Sequence, residues 1–443
     1  MSDASPPDPA LNTPPTAPGK IPDPFRGPVI AAGCTVALVA TAPGQTVVVS
    51  QFNDSFTSSL GLTATTLSTA YLIGTVTAAM PLTLVGSVAD RFGPRRVMLV
   101  VALLFGLACI AAGQARSLVV LTLCFFCLRF LGQGSLGMLS GHILALWYER
   151  KLGTVNGYKM VFAQVGFMAS PWVAIWLIDL FGWRWAYAVL GVMIWLVVLP
   201  LAAFVLRDKP EELGQLIDGD HPRGSATNDE PKPSHLDPAF TLKQTLSTRA
   251  FWIVAGATVL SGFTGTALLF HSQPILSARE LDPTMSAAMS TSWALAVAVF
   301  VLPFGKLSDR LPPRGLLCAA GVLMAASPAL VIVADSVVLL CAAMAIYGVS
   351  MAIGSAVGVP TIARYFGRKH HGAIRGFTTF LGVAGTGLGP VVLGLSLDRT
   401  GSFTIGLAVC AGLALAIALA SLTLRQPKSP NLTADDEVGS TQV

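Results

Sequence analysis

The stretch GSVADRFGPRR at 86–96 stands between two long apolar runs, and a near copy, GKLSDRLPPRG, occupies 305–315. Gly86 maps onto Gly305, Asp90 onto Asp309, Arg91 onto Arg310 and Arg95 onto Arg314, each 219 residues later. A second echo pairs WYERKLGTVNG at 147–157 with YFGRKHHGAIRG at 365–376, the offset moving from 218 at Arg150/Arg368 to 219 at Gly157/Gly376. Two matches at nearly one spacing predict an internal duplication.

The composition says what kind of chain is duplicated. Of 443 residues 53% are hydrophobic and 12% charged, with a mean hydropathy of +0.67, whereas soluble domains carry about 25% charged residues. Apolar runs recur at the roughly 20 residues needed to cross a bilayer, over 28–51, 62–85, 97–115, 118–146, 156–178, 186–206, 250–277, 285–304, 315–333, 337–362, 377–397 and 402–424. The runs are continuous rather than alternating, which argues against a β-barrel. The expectation is an all-α, polytopic membrane protein of twelve transmembrane helices in two pseudo-symmetric six-helix halves.

Basic residues set the orientation. The loops at 86–96, 149–159, 305–315 and 364–376 hold thirteen Lys and Arg, and the opposite loops hold four, Arg116, Arg184, Arg279 and Arg399. Positive charge stays on the cytoplasmic side, so both termini are expected there, in a multi-pass protein of the cell membrane. The organisation reads as a disordered tail at 1–27, a six-helix half at 28–206, a cytoplasmic linker at 207–249, a second half at 250–424 and a disordered tail at 425–443. The net charge of +5 sits beside helix ends and forms no basic domain, so no nucleic-acid partner is expected. The seven cysteines fall within apolar spans. Cys124 and Cys127 have the spacing of half a zinc site without a second pair, so neither a metal nor a cofactor is expected. Asn53-Asp54-Ser55 matches a glycosylation sequon by pattern, and its place against the first span argues that the match is accidental.

Two six-helix halves with this loop after the second helix resemble the major facilitator superfamily. Its marker is Gly, three residues, Asp, a basic residue, one residue, Gly, one residue and two basic residues. Gly86, Asp90, Arg91, Gly93, Arg95 and Arg96 match throughout. The second copy departs, with Pro312 for the inner Gly and Gly315 for the last basic residue. The resemblance implies the major facilitator fold and a gating role for Gly86, Asp90, Arg91, Gly93, Arg95, Asp309 and Arg310. Physically, a carboxylate such as Asp90 can sit at the positive end of a neighbouring helix and hold one closed arrangement of the halves. RDKPEELGQLIDGD after the sixth span, TRAFWIV opening the seventh and YFGRKHHGAIRG after the tenth look like the branch containing oxalate/formate exchangers and monocarboxylate transporters. That branch commonly places cations in the eighth and eleventh helices, and 285–304 and 377–397 contain no Lys or Arg.

LRFLGQGSLG at 128–137 resembles the superfamily's fourth-helix pattern through Arg129, Gln133, Gly134 and Gly137. Arg129 stands out as the cation placed well inside a span, where it costs roughly 2.5–3.5 kcal/mol. At about 100° per residue Arg129, Gln133, Gly137 and Ser140 share one polar, small-residue face. Gln45, beside Pro43-Gly44, and His271 join them as candidates because the first and seventh helices line the cavity in the family. No Asp or Glu lies in mid-span, so a path with one fixed cation should favour a monoanion or a neutral solute over organic cations. Arg cannot titrate; a coupled proton would ride on His271, His142, Asp54 or the solute, and an exchanged anion is the other candidate driving partner.

The expected function is secondary active or facilitative transport of a small organic anion, a monocarboxylate, by alternating access. Arg129, Gln133, Gln45 and His271 would bind substrate. The expected partners are the solute and the lipid bilayer, with the protein a monomer. The alternatives are a multidrug or hydrophobic-compound exporter and a non-transporting receptor. No phosphate-binding Gly loop or nucleophile elbow appears, which argues against an enzyme.

Overall fold

A computed structural model describes residues 24–219, 240–308, 310–367 and 371–427. Among these residues ten helices are long and apolar enough to cross a membrane, and an eleventh forms when Ala64–Ala79 and Leu84–Phe92, bent by 43°, are taken as one span. The stretch Leu152–Val205 passes as a single 54-residue span. That length would reach about 80 Å, and Gly182, with φ 74 and ψ 157, breaks it into two. The total is twelve.

We name the spans α1 (Gly27–Val39 with broken continuations to Leu60), α2 (Ala64–Ala79 and Leu82–Phe92), α3 (Pro94–Gly113), α4 (Leu118–Trp147), α5 (152–181), α6 (183–205), α7 (Arg249–Phe270, continued by Ser272–Ser277), α8 (Ser286–Ser308), α9 (Pro313–Val333), α10 (Val337–Phe366), α11 (His371–Thr400) and α12 (Thr404–Leu422). Local chemistry fixes several starts. Thr63, Ser117 and Thr248 accept from Thr66, Val120 and Phe251 N–H groups at 3.2, 3.4 and 3.3 Å, and Pro94 and Pro313 open α3 and α9, where a missing N–H is harmless.

Each half has its own core. In the first, Phe52, Phe56, Phe125 and Tyr187 stack together, with the Phe52 and Tyr187 centroids 4.0 Å apart. In the second, one cluster gathers around Met344 and Leu407 and another around Phe251 and Phe366. The halves meet along α2 with α11 and α5 with α8. Glycines make the first contact close: a Cβ on Gly387 would stand 2.7 Å from Leu72 Cδ1, and one on Gly394 2.9 Å from the Ala64 carbonyl oxygen.

The linker ends are built into the halves. Asp208 accepts from the Arg95 N–H at 2.7 Å. Asp218, buried and in the left-handed region at φ 61, accepts from the Glu149, Arg150 and Lys151 N–H groups at 3.3, 2.9 and 3.3 Å. Residue 240 pairs with α10 through Phe240 N–H to the Phe366 carbonyl, 3.2 Å. The linker residues 220–239 and most of both tails lie outside the described residues.

Candidate functional site

The two ends of the bundle differ. At the end away from the basic loops, hydrogen bonds join the halves. Asn53 Nδ2 donates to the Phe270 carbonyl at 2.6 Å, Gln273 Nε2 to the Gln51 carbonyl at 3.2 Å and Ser286 Oγ to Gln51 Oε1 at 2.6 Å. Asp398, at the end of α11, accepts from the Thr65 N–H at 2.8 Å, so it sits on the N-terminus of α2. Deeper in, Trp172 Nε1 of α5 donates to Thr291 Oγ1 of α8 at 3.0 Å.

At the basic-loop end the motif of the first half is described throughout and that of the second except at Asp309. A Cβ on Gly86 or Gly305 would meet nothing within 4 Å. Asp90, its side chain 71% exposed, lies 3.5 Å from His142 Nε2 of its own half. Arg91 stacks on Phe92 with Cζ 5.3 Å from the ring, and Arg310 is exposed. Gly93 has φ +87, and a Cβ there would stand 2.5 Å from Asp208 Oδ2. Arg95 donates through Nε to the Ala202 carbonyl at 2.7 Å and through Nη2 to that of Ala203, capping the end of α6. Asp309 lies outside the described residues.

Arg129 sits on a π-helical turn, Leu128–Leu136, within α4. The side chain is 5% exposed, its Nη1 has no hydrogen-bond partner among the described residues, and Cζ rests 5.3 Å from the Tyr71 ring centroid of α2. Such a cation–π contact offsets part of the desolvation cost. Tyr71 is held by Thr46 Oγ1 at 2.7 Å, and its ring lies 4.7 Å from that of Phe270 in the other half. Gln133, on the same turn, has a buried Oε1 without a partner, as does Gln164 of α5. Gln45 is in the broken part of α1, where its Nε2 donates to Thr41 Oγ1 at 3.0 Å. Gly44 beside it abuts the Leu128 carbonyl, so the break in α1 lies against the turn that carries Arg129.

His271 is elsewhere. It is 3% exposed at the closed end, with Nε2 3.3 Å from Ser68 Oγ and 2.9 Å from the Pro390 carbonyl. It borders a cavity of about 430 Å³ that Asn53, Asp54, Thr63, Pro274 and Asp398 also line. The structure therefore brings Arg129, Gln133 and Gln45 to neighbouring elements and sets His271 apart, one aromatic pair away. A second cavity of about 430 Å³ opens in the second half, where Thr258, Ser261, Tyr347, Ser355, Thr379 and Thr386 provide hydroxyls and no charge.

The sequence reading missed one buried cation. Lys159, counted with the loop at 149–159, is 5% exposed inside α5. The signal was its place just inside an apolar run, where a long Lys side chain ordinarily reaches back to water.

Among the described residues no group of three or more His, Cys, Asp or Glu could hold a metal.

The sequence pattern of the Major Facilitator Superfamily matches residues 30–290 and 257–441. The chain is 28% identical over 402 residues to the "Probable sulfoacetate transporter SauU" of Cupriavidus necator, covering 86% of this chain and 87% of that protein. It is 30% identical over 184 residues, 40% of this chain and 33% of the other, to a "Multidrug resistance protein B homolog" of Mycobacterium tuberculosis. Among solved structures, a point mutant of the nucleoside transporter NupG superposes with a TM-score of 0.70 at 14% identity, over 89% of this chain and 99% of that one. A bacterial homologue of the human lysosomal transporter Spinster gives 0.64 at 13%, over 91% and 96%. These likenesses show the fold.

Proposed function

The chain belongs to the Major Facilitator Superfamily, a transporter rather than an enzyme, and on that premise we propose that it carries a small organic anion, a monocarboxylate or a sulfonated carboxylate, by alternating access. The observation that carries the reading is Arg129, a guanidinium 5% exposed whose Nη1 lacks a partner. An unpaired buried charge is costly, and an anion entering beside it recovers that cost through charge-assisted hydrogen bonds. Gln133 and Gln45 flank it as polar contacts. His271, in the joined end, becomes a contact only when that end opens. The relative named for sulfoacetate, which carries a sulfonate and a carboxylate, supports an organic anion, and the hydroxyl-lined cavity of the second half offers uncharged contacts to the rest of the solute.

The motif residues Gly86, Asp90, Arg91, Gly93, Arg95, Asp309 and Arg310 belong in this reading to the gate at the basic-loop end. With those loops cytoplasmic and the protein in the cell membrane, a form joined at the opposite end is the inward-facing one in this reading. Asp398 on the N-terminus of α2 holds the outer end, and Asp90 is placed to do the same for α11 in the opposite form.

The test is uptake into proteoliposomes of sulfoacetate, lactate, formate, oxalate, a neutral sugar and a cationic dye, with wild type beside Arg129→Gln. Saturable entry of sulfoacetate or a monocarboxylate that Arg129→Gln abolishes supports the reading. Movement of the dye alone replaces it with the exporter suggested by the multidrug relative.

A further inference from the structure

Lys159 has no part in the reading above. The side chain is 5% exposed, and no hydrogen-bond or ion-pair partner reaches it among the described residues. Its Nζ lies 3.7 Å from the point where a Cβ would stand on Gly141 of α4.

Gly141 continues the series Arg129, Gln133, Gly137, four residues apart on one side of that helix. A Cβ on Gly137 would meet only Leu38 Cδ1, at 3.9 Å, and one on Gly141 only the Lys159 ammonium. Between Gln133 and Lys159, α4 therefore presents small residues, Gly137, Ser140 and Gly141, with the Ser140 hydroxyl donating to the Gly137 carbonyl at 2.8 Å. Twelve helical residues place Gly141 roughly 15–18 Å from Arg129, toward the basic-loop end.

We infer that Lys159 is a second anion subsite, on the basic-loop side of Arg129, which the anionic head of the solute meets first. This rests on the organic-anion reading. An ammonium with no acid beside it among the described residues is an unmet charge, and the α4 face that carries Gly141, Ser140, Gly137 and Gln133 leads from it toward Arg129. The two cations suit different tasks. An ammonium on a four-carbon stem attracts an anion as a point charge without demanding a fixed geometry, whereas a guanidinium fork orients it. On this inference the anionic head engages one station and then the other.

The experiment is uptake of sulfoacetate and lactate from the basic-loop side, with wild type, Lys159→Gln and Lys159→Arg compared in proteoliposomes. We expect Lys159→Gln to raise KM about tenfold with kcat within about twofold, and Lys159→Arg to restore most of the loss. Added salt should raise the wild-type KM more than that of Lys159→Gln. An unchanged KM, or a fall in kcat alone, overturns the subsite and leaves Lys159 a packing residue. A folding defect in Lys159→Gln does not end the test, because the wild type can be probed directly. Acylation of Lys159 by a small amine reagent, followed by mass spectrometry, should slow several-fold with saturating sulfoacetate and not with a neutral sugar; equal rates overturn the proposal. Saturable anion uptake with Lys159 indifferent sinks the subsite alone. A wild type that moves no anion sinks the organic-anion reading with it.

Discussion

Arg129 and Lys159 are each 5% exposed in the first half. The offset of 218 that relates Arg150 to Arg368 carries Arg129 onto Tyr347, and the offset of 219 carries Lys159 onto Thr378. Where the first half carries two cations without an acid beside them among the described residues, the second buries two hydroxyls that are satisfied at home, Tyr347 by the Ser261 carbonyl at 2.7 Å and Thr378 by that of Ile374 at 2.9 Å. Duplication preserved the helices and their packing, while charge stayed on one side. On the proposed function, such a protein presents fixed cations from one wall and a neutral wall opposite.

Removing the asymmetry should have the largest effect. Arg129→Gln is expected to cut anion transport at least about 100-fold in kcat/KM. The same variant should unfold at a higher temperature than wild type, because a buried unpaired charge is lost; proteoliposome kinetics and a melting curve in detergent check the two signs together. Filling the neutral wall should work the other way. Ser355→Arg places a cation in the cavity of the second half, and the oxalate-over-lactate ratio of uptake should rise about tenfold.

The two ends invite a smaller test. Asp398→Asn removes a carboxylate from the α2 N-terminus, worth about 0.3–1 kcal/mol, so the population joined at that end should fall up to about fivefold. Paired spin labels across the end would read the change as a longer distance. The least effect comes from comparing the two motif copies. Gly93→Ala forces a side chain onto φ +87 and against Asp208 and should cost about 1 kcal/mol of stability. Pro312→Ala, at φ −66, should cost under about 0.5 kcal/mol, both read from thermal unfolding.

The twelve spans and the twofold organisation were legible because both are written in patterns of composition: long apolar runs and a repeated charged loop. The polar turn around Arg129 was legible too, since a cation inside an apolar run is conspicuous. The π-helical geometry of that turn was not, because apolar periodicity carries no mark of one residue added to a turn. Lys159 escaped for a different reason. Its depth is decided by Gly141 on a neighbouring helix, a contact no local window contains. Arg95 shows the same limit: the motif carries no sign that its guanidinium meets the Ala202 and Ala203 carbonyls at the end of α6, a pairing across more than a hundred residues.

The bond from Asn53 Nδ2 to the Phe270 carbonyl also bears on how the protein can be made. That nitrogen is the atom to which a secretory-pathway host would attach a sugar at Asn53-Asp54-Ser55. Asn53 is 2% exposed, with no room for a glycan between α1 and α7. A chain so modified loses its fastener and carries a wedge in its place, so material from a glycosylating cell would be trapped with that end apart. Substituting Ser55, which lies outside that bond, removes the acceptor sequence and leaves the fastener intact.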